Sequence, residues 1–483
     1  MTTIIDYLEK NKEDHPKKIF VQTESHKITY EEMYNKVCNF ELGLNQFEEK
    51  SIISIMFENS IEFIISYLGI IKSGKIVHII SPSISKKNFI KQIESCNPKI
   101  ILSLSKFINE FKNVKNTINF LDFYEFEKEN YENRKNKNSD IASLIYTSGT
   151  TSSPKGVQIK HSNIIFTTQN IVNVLEYRNL DMDVIPLPLS HSFGLGCLHT
   201  SLYIGSTLFL HKNSMNILNI LNSIKENNAT TFAAVPATLT SIVNNFPEKF
   251  VEKCSGLRLI ITNSTKIPKE TIHKILHLLP NTKFATYYGL TEASRSTFMI
   301  FNENENKEES VGKAAPDVEI KIIKEKDDSK QGEICIRGKN VIENYWNSEF
   351  SENLIGGWLK TGDLGYLDTD EFLYLTGRKD YIINISGEKV NPLEIEGVVK
   401  TLENIDEVIA IGIDHQVLGQ AIKLLVKIKV GKNVDSSDIL AHCKKNLERF
   451  KVPVKVEFVP DFPKNEYGKI IRFRIKENNN GNS

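Results

Sequence analysis

The chain has 483 residues, enough to bury a large core and to form more than one domain. Apolar residues make up 40% and charged residues 25%, the proportions of an ordinary soluble globular protein, and Lys+Arg and Asp+Glu are equal at 60 each. That balance leaves no basic surplus for nonspecific nucleic-acid binding, and six scattered cysteines with no Cys-x-x-Cys pair point to neither a zinc site nor a disulfide framework. Isolated buried thiols in a reducing compartment are expected, which makes the expected location cytoplasmic.

Asp6, Glu9 and Lys10 interrupt the first apolar residues, so no signal peptide is expected. Ile61 to Ile80 contains Glu62, Lys72 and Lys75, and Pro186 to Leu210 contains two prolines and two histidines, so neither reads as a membrane span. From about Ile52 to Thr286, apolar runs alternate with amphipathic segments. Strands are predicted at Ile52–Phe57, Ile76–Ile80, Ile100–Leu104, Ile141–Ile145, Thr231–Val235, Leu257–Thr262 and Thr282–Thr286. Helices are predicted at Glu62–Lys72, Lys86–Glu94, Met215–Glu226 and Lys269–Leu279. This alternation predicts a large α/β domain of parallel-type sheets covered by helices. Segment 117–139, rich in Asn, Glu and Lys, reads as a surface loop. After about Asn302, short strands at Val318–Ile323, Gly332–Arg337 and Phe372–Thr376 predict a β-rich subdomain. Beyond Arg378, strands at Glu407–Ile413, Ile422–Val430 and Lys455–Val459 mix with helices at Pro392–Leu402 and Ser437–Arg449. That is a small α+β domain of roughly a hundred residues.

Several stretches carry chemistry. Tyr146-Thr-Ser-Gly-Thr-Thr-Ser-Ser-Pro-Lys-Gly-Val157 follows a buried strand and holds little that can pack besides Tyr146. Small residues let backbone N–H groups approach an anion, hydroxyls donate to it, and lysine adds charge. A polyphosphate loop and a solvated Ser/Thr linker both fit this composition. The spacing is not that of the common P-loop. Tyr288-Gly-Leu-Thr-Glu292 leaves the carboxyl end of a predicted strand, where open α/β sheets bind ligands. Its tyrosine can stack on a base, and its glutamate can hold a hard cation. Trp358-Leu-Lys-Thr-Gly-Asp363 and Gly377-Arg378-Lys-Asp380 read alone as charged β-turns. Pro463-Lys-Asn-Glu-Tyr-Gly-Lys469-Ile reads alone as a basic surface tail.

Taken in order, these motifs resemble those of the adenylate-forming superfamily, which includes acyl-CoA synthetases, adenylation domains of peptide synthetases and beetle luciferases. The resemblance spans essentially the whole chain. It implies that Thr147, Ser148, Gly149, Thr150, Thr151 and Lys155 cradle the phosphates of ATP. Tyr288 and Gly289 would pack at adenine, Thr291 would contact phosphate, and Glu292 would bind Mg2+. Asp363 and Arg378 would hold ribose, Asp380 would be an interdomain hinge, and Lys469 would be the catalytic lysine. Gly387 matches the glycine that lets pantetheine approach. The implied organisation is a domain at 1–379 and a small mobile domain at 380–483.

Two departures accompany the match. Ser152 stands where the family has glycine. Thr262-Asn-Ser-Thr-Lys-Ile267 replaces the family's Ser-Gly-Gly/Ala-Ala-Pro segment, with Asn263 in a glycine's place. Pro188-Leu-Ser-His-Ser-Phe-Gly194 resembles the family's His and Phe-Gly segment, which puts His191 beside the acyl pocket, as a core histidine or a catalytic one. Ser192 to Thr200 lacks the aspartate that amino-acid-activating relatives use to pair with ammonium. Phe193, Leu195, Ala233, Ala234 and Val235 suggest an alkyl or aryl lining. The implied reaction is ATP-dependent acyl-adenylate formation from a small-molecule carboxylic acid, then transfer to the thiol of CoA. Loading of a carrier protein, a luciferase-like oxygenase and a non-catalytic nucleotide-binding protein are the alternatives.

Overall fold

The computed structural model of the chain describes residues 2–104, 117–125, 140–147, 154–324, 329–347, 353–385, 388–415, 419–464, 470–472 and 475. These residues form a mixed α/β protein in two compact units. The first comprises Met1–Ile320, Ile336–Leu359 and Thr369–Leu373, and the second Lys321–Cys335, Lys360–Asp368 and Tyr374–Ser483. Among the described residues no helix is long and apolar enough to cross a membrane.

Two sheets build most of the first unit. A six-stranded sheet runs Thr117–Asn119, Ile100–Ser103, Ile52–Met56, Ile76–Ile79, Ile141–Thr147, Lys155–Lys160 across its width. All neighbours are parallel except the last pair, a hairpin. A nine-stranded sheet has a parallel centre, with Lys283–Leu290, Leu259–Thr262, Thr231–Ala233, Met182–Ile185, Thr207–Leu210 and Ile19–Gln22 side by side. Antiparallel strands flank it at both edges. The central strands Ile52–Met56, Ile76–Ile79 and Leu259–Thr262 are buried at every position. Continuous apolar runs are what strands covered on both faces require.

The covering helices start where the sequence offers caps. The Ser60 hydroxyl accepts from the Phe63 amide at 3.2 Å and starts Ile61–Lys72, and Thr29 with Glu32 forms a capping box for Tyr30–Leu44. Helix Ser192–Ile204 ends at Gly205, whose φ of +72° is the left-handed stop that glycine makes cheap.

The second unit contains a five-stranded sheet. Glu388–Val390, Ile383–Ile385, Gly419–Ile428 and Ile405–His415 lie in that order, and Lys455–Phe458 pairs parallel with Gly419–Ile428. Helices Pro392–Lys400 and Ser436–Asn446 contribute Ile395, Val399, Ile439 and Cys443 to its core.

One expectation fails. Segment 117–139 is not a loop at its start, because Thr117–Asn119 is an edge strand and Phe120–Glu125 a helix. Phe120 and Phe123 are buried against Phe40, with ring centroids 5.9 and 5.2 Å away. Two aromatics in a polar stretch anchor it to the core, and average composition conceals that. Residues 126–139 lie outside the described residues.

Candidate active site

The two ends of the Ser/Thr-rich stretch are paired strand residues. Thr147 pairs with Lys155 and Tyr146 with Gly156. Ser148, Gly149, Thr150, Thr151 and Ser152 lie outside the described residues. Gly156 is required by its surroundings: a Cβ there would sit 3.0 Å from the Tyr146 ring and 3.0 Å from the Trp346 Cβ. The Trp346 amide donates to the Gly156 carbonyl at 2.7 Å, tying segment 341–347 to the hairpin. The neighbouring Tyr345 ring lies under Lys155, with Nζ 5.4 Å from its centroid.

The second motif also differs from a simple loop. Strand Lys283–Leu290 continues through Tyr288 and Gly289, turns at Thr291-Glu292, and returns antiparallel as Ala293–Ile300. A Cβ on Gly289 would meet the Arg295 amide nitrogen at 2.5 Å and the Ala293 carbonyl oxygen at 2.8 Å, so the close hairpin needs glycine there. Tyr288 is buried. The Ile342 amide donates to the Glu292 carbonyl at 2.9 Å, and the Tyr345 hydroxyl donates to Glu292 Oε1 at 3.1 Å. Burial, and then the Glu292 charge, push the Tyr345 hydroxyl well above its ordinary pKa, which keeps it a donor. Tyr345 therefore joins Lys155 and Glu292, two residues singled out by separate motifs. Among the described residues no group of three or more His, Cys, Asp or Glu could hold a metal by itself. A single partly exposed carboxylate, Glu292, fits a Mg2+ whose other ligands are phosphate oxygens and water.

Thr291 stands on the wall of a cavity with about 550 Å3 of empty space, its mouth included. The walls come from strand Ile141–Thr147, helix His161–Leu175, helix Ser192–Ile204 and the 291–295 turn. The exposed lining is mostly apolar, from Ile145, Ile159, Ile164, Ile171, Leu195 and Ile342, with Asn163, Thr167, Thr168, His199, Arg295 and Asn340 among it. A smaller second cavity adjoins it in sequence and lining, sharing Ile171, Gly196 and Arg295 and adding Phe193, Tyr287 and Phe298. Leu195 lines the first cavity, but Ala233, Ala234 and Val235 line neither. The expected apolar lining is present but comes largely from other residues, Ile145, Ile159, Ile164 and Ile342 among them, because strand Thr231–Ala233 is interior to the sheet.

His191 is the N-cap of helix Ser192–Ile204, its Nδ1 accepting from the Phe193 amide at 3.3 Å. The histidine on the cavity wall is His199, two turns further on. Its Nε2 is 2.8 Å from the Tyr67 hydroxyl, and burial, helped by the Arg295 charge, lowers its pKa to about 3. It is neutral at physiological pH. In the departing Thr262–Ile267 stretch, Ser264 has φ +97°, a conformation natural to glycine, and burial pushes the Tyr287 hydroxyl up to about 12, against the smaller opposing effects of Arg295 and the Asn263 side chain.

In the second unit, Asp363 lies inside the ten-residue strand Trp358–Leu367, Arg378 ends strand Leu373–Arg378, and Asp380 sits in the turn Lys379–Tyr381. Arg378 Nη1 donates to Asp363 Oδ1 at 2.8 Å, and Nη2 lies 3.4 Å from Asp380 Oδ2. Burial opposes the Arg378 charge, but the two aspartates outweigh it and raise its pKa. Gly362 has φ +71°, which explains the glycine of the Thr-Gly-Asp triplet. Gly387 and Lys469 lie outside the described residues.

Sequence reasoning missed Tyr345, His199 and Arg295. Arg295 left a signal, an arginine between two serines just before the apolar Phe298-Met-Ile300, three residues past the Thr-Glu pair.

Comparison with known proteins agrees with these motifs. Residues 8–346 match the family described as AMP-binding enzyme, and residues 394–469 match the AMP-binding enzyme C-terminal domain. An oxalate–CoA ligase of Arabidopsis thaliana is 30% identical over 449 residues, 87% of either chain. A 2-succinylbenzoate–CoA ligase of Bacillus subtilis is 27% identical, covering 96% of each. The solved structure of o-succinylbenzoate coenzyme A synthetase from Bacillus subtilis with ATP and magnesium superposes with a TM-score of 0.88. It is 26% identical and covers 97% of this chain and 99% of that one.

Proposed function

From the chain's membership of the AMP-binding enzyme family, as an AMP-forming acid–thiol ligase of the acyl-CoA synthetase kind, we propose a two-step reaction at one site. ATP, magnesium and CoA are its cofactors. In the first step a carboxylate oxygen of a small acid attacks the α-phosphorus of ATP, and the bond to pyrophosphate breaks. In the second, a thiol attacks the acyl carbon and AMP leaves. No protein nucleophile is needed, because the mixed anhydride is already activated.

The chain's residues position and neutralise. Thr147, Ser148, Gly149, Thr150, Thr151 and Lys155 bind the phosphates, and Thr291 donates to phosphate oxygen where charge builds. Glu292, steadied by Tyr345, is the ligand for Mg2+, which when bound screens the triphosphate charge. Tyr288 packs on adenine, and Asp363 and Arg378 hold ribose. Lys469 reaches the reacting oxygens, and Asp380 is the hinge between domains 1–379 and 380–483. Gly387 lets pantetheine approach.

The observation that carries this reading is the junction at Tyr345, where the lysine of one motif and the glutamate of another meet beside a cavity bearing Thr291. The test is acid-dependent ATP–pyrophosphate exchange over a panel of acids, followed by thioester formation on CoA. Exchange with one class of acid and transfer to CoA are expected, and silence across the panel would overturn the reading. The acceptor is CoA rather than a carrier protein, as for the curated relatives. Loading of a carrier with negligible CoA turnover would reverse that choice.

A further inference from the structure

Arg295 is a buried cation in the wall of the cavity that holds Thr291, with only 6% of its surface exposed. Its Nη1 donates to Ser294 Oγ at 2.8 Å, and Nη2 donates to the carbonyls of Ser192 and Phe193 at 3.1 and 3.3 Å. Every acceptor is neutral, and Nε has no partner. Among the described residues no carboxylate forms an ion pair with this guanidinium. Buried arginines are ordinarily paired with an anion, because an uncompensated charge away from water is costly.

The surroundings are built to keep the group where it is. Arg295 adopts φ +51°, a left-handed conformation that a non-glycine residue adopts at a cost. Its guanidinium lies over the Tyr287 ring, 4.9 Å from the centroid. Gly196, on the facing helix, leaves the space it fills: a Cβ there would come within 2.0 Å of Nη2. Arg295 and Gly196 line both cavities, so the guanidinium is a charge set at the junction of the mostly apolar space beside Thr291 and the smaller aromatic one. Asn163, Thr168, Asn340 and His199 on the same wall are already hydrogen-bonded within the protein, which leaves the guanidinium as the group with an unused donor, Nε.

Resting on the ligase reading above, we propose that Arg295 is a specificity residue that binds a second carboxylate of the acid substrate, so that the preferred substrates are short dicarboxylates. One carboxylate of such an acid reacts at the Thr291 end, and the other supplies the missing counter-charge. Arg295 does not touch the reacting atoms and takes no part in bond making.

The experiment is pyrophosphate exchange with acids matched in length: succinate, its half-amide succinamate, and butyrate, repeated with malonate and glutarate against propionate and valerate. The expected result is at least a 30-fold preference in kcat/KM for a diacid over its matched monoacid, with succinamate near butyrate. Arg295→Gln is expected to bring the ratio close to one, and Arg295→Lys to restore part of it. A purely structural arginine would lower all acids together and leave the ratio unchanged. If that variant does not fold, the succinate–succinamate comparison on the wild-type enzyme decides alone. Monoacids used as well as diacids by the wild type, or a ratio unmoved in a folded Arg295→Gln enzyme, would overturn the proposal while leaving the ligase reading intact. Exchange with no acid at all would remove both.

Discussion

At Glu292 one hydroxyl does the positioning. The Tyr345 hydroxyl donates to Oε1 at 3.1 Å, and nothing in its own titration competes with that role. Tyr345→Phe removes the hydrogen bond but keeps the ring under Lys155. The expected effect is about 1 kcal/mol, seen as a roughly 3- to 10-fold rise in the Mg·ATP concentration needed for half-maximal exchange. An unchanged requirement would separate Glu292 from the nucleotide site. Asp183 presents the opposite case, a carboxyl placed where ionisation is unwelcome. It is buried in the nine-stranded sheet, and its pKa is raised to about 7, chiefly by desolvation. The Thr231 hydroxyl lies near enough to favour the ionised form, yet neither carboxyl oxygen makes a well-aligned hydrogen bond. Between its ordinary unfolded value and about 7, the folded state holds a proton that the unfolded state has lost. Stability therefore falls as pH rises through that window, by up to ~1.4 kcal/mol per unit. Asp183→Asn removes this dependence. Relative to wild type, it should gain about 2–3 kcal/mol more at pH 8 than at pH 5, read from urea unfolding at the two pH values. An equal offset at both would show that Asp183 does not change ionisation on folding.

The hairpin Lys283–Leu290 and Ala293–Ile300 sets Thr291, Glu292 and Arg295 relative to one another, and Gly289 lets its strands close. Gly289→Ala forces the Arg295 amide or the Ala293 carbonyl to move. The expected cost is about 1–3 kcal/mol in stability, with a larger proportional loss of exchange activity because the displaced atoms belong to the turn itself. A variant that loses stability but keeps full exchange would show that the turn tolerates displacement. This hairpin also shows how far sequence could go. The predicted strand start, Thr282, is one residue from the observed start, because apolar periodicity survives any context. The continuation through Tyr288-Gly-Leu was not legible, since a glycine beside polar residues reads as a turn until its partner strand is known. The same holds for Thr147 and Lys155, which the phosphate motif suggested as loop and cross-strand pairing makes strand. Arg295 and Tyr345 escaped for a different reason. Neither belongs to a motif, and their importance rests on which cavity or carboxylate they meet after folding. Long-range placement of that kind leaves only a faint trace in local composition.

At the scale of the whole molecule, Lys155, Glu292 and the cavity residues fall in the first compact unit, and Asp363, Arg378 and Asp380 in the second. The proposed hinge Asp380 and the proposed catalytic Lys469 fall in the second unit, and the cavity proposed for the acid lies in the first. A group on a separate body can serve one half-reaction and withdraw for the other, whereas a residue fixed beside Thr291 is present for both. Lys469→Ala should therefore cripple pyrophosphate exchange while leaving thioester formation from supplied acyl-adenylate largely intact. Asp380→Pro should do the reverse, because proline fixes φ at the hinge and removes an amide donor. Adenylate would still form, and its transfer to CoA would slow by a factor of roughly 10–100, a barrier increase of about 1.4–2.7 kcal/mol. The two variants must be assayed in both half-reactions, with adenylate supplied chemically for the second. Equal losses in both steps for Lys469→Ala would place that lysine in a shared role. Unimpaired transfer in Asp380→Pro, with adenylation lost, would move the hinge elsewhere in the chain. Opposite phenotypes from two residues of one unit would be hard to obtain from misfolding, since a general loss of stability lowers both steps together.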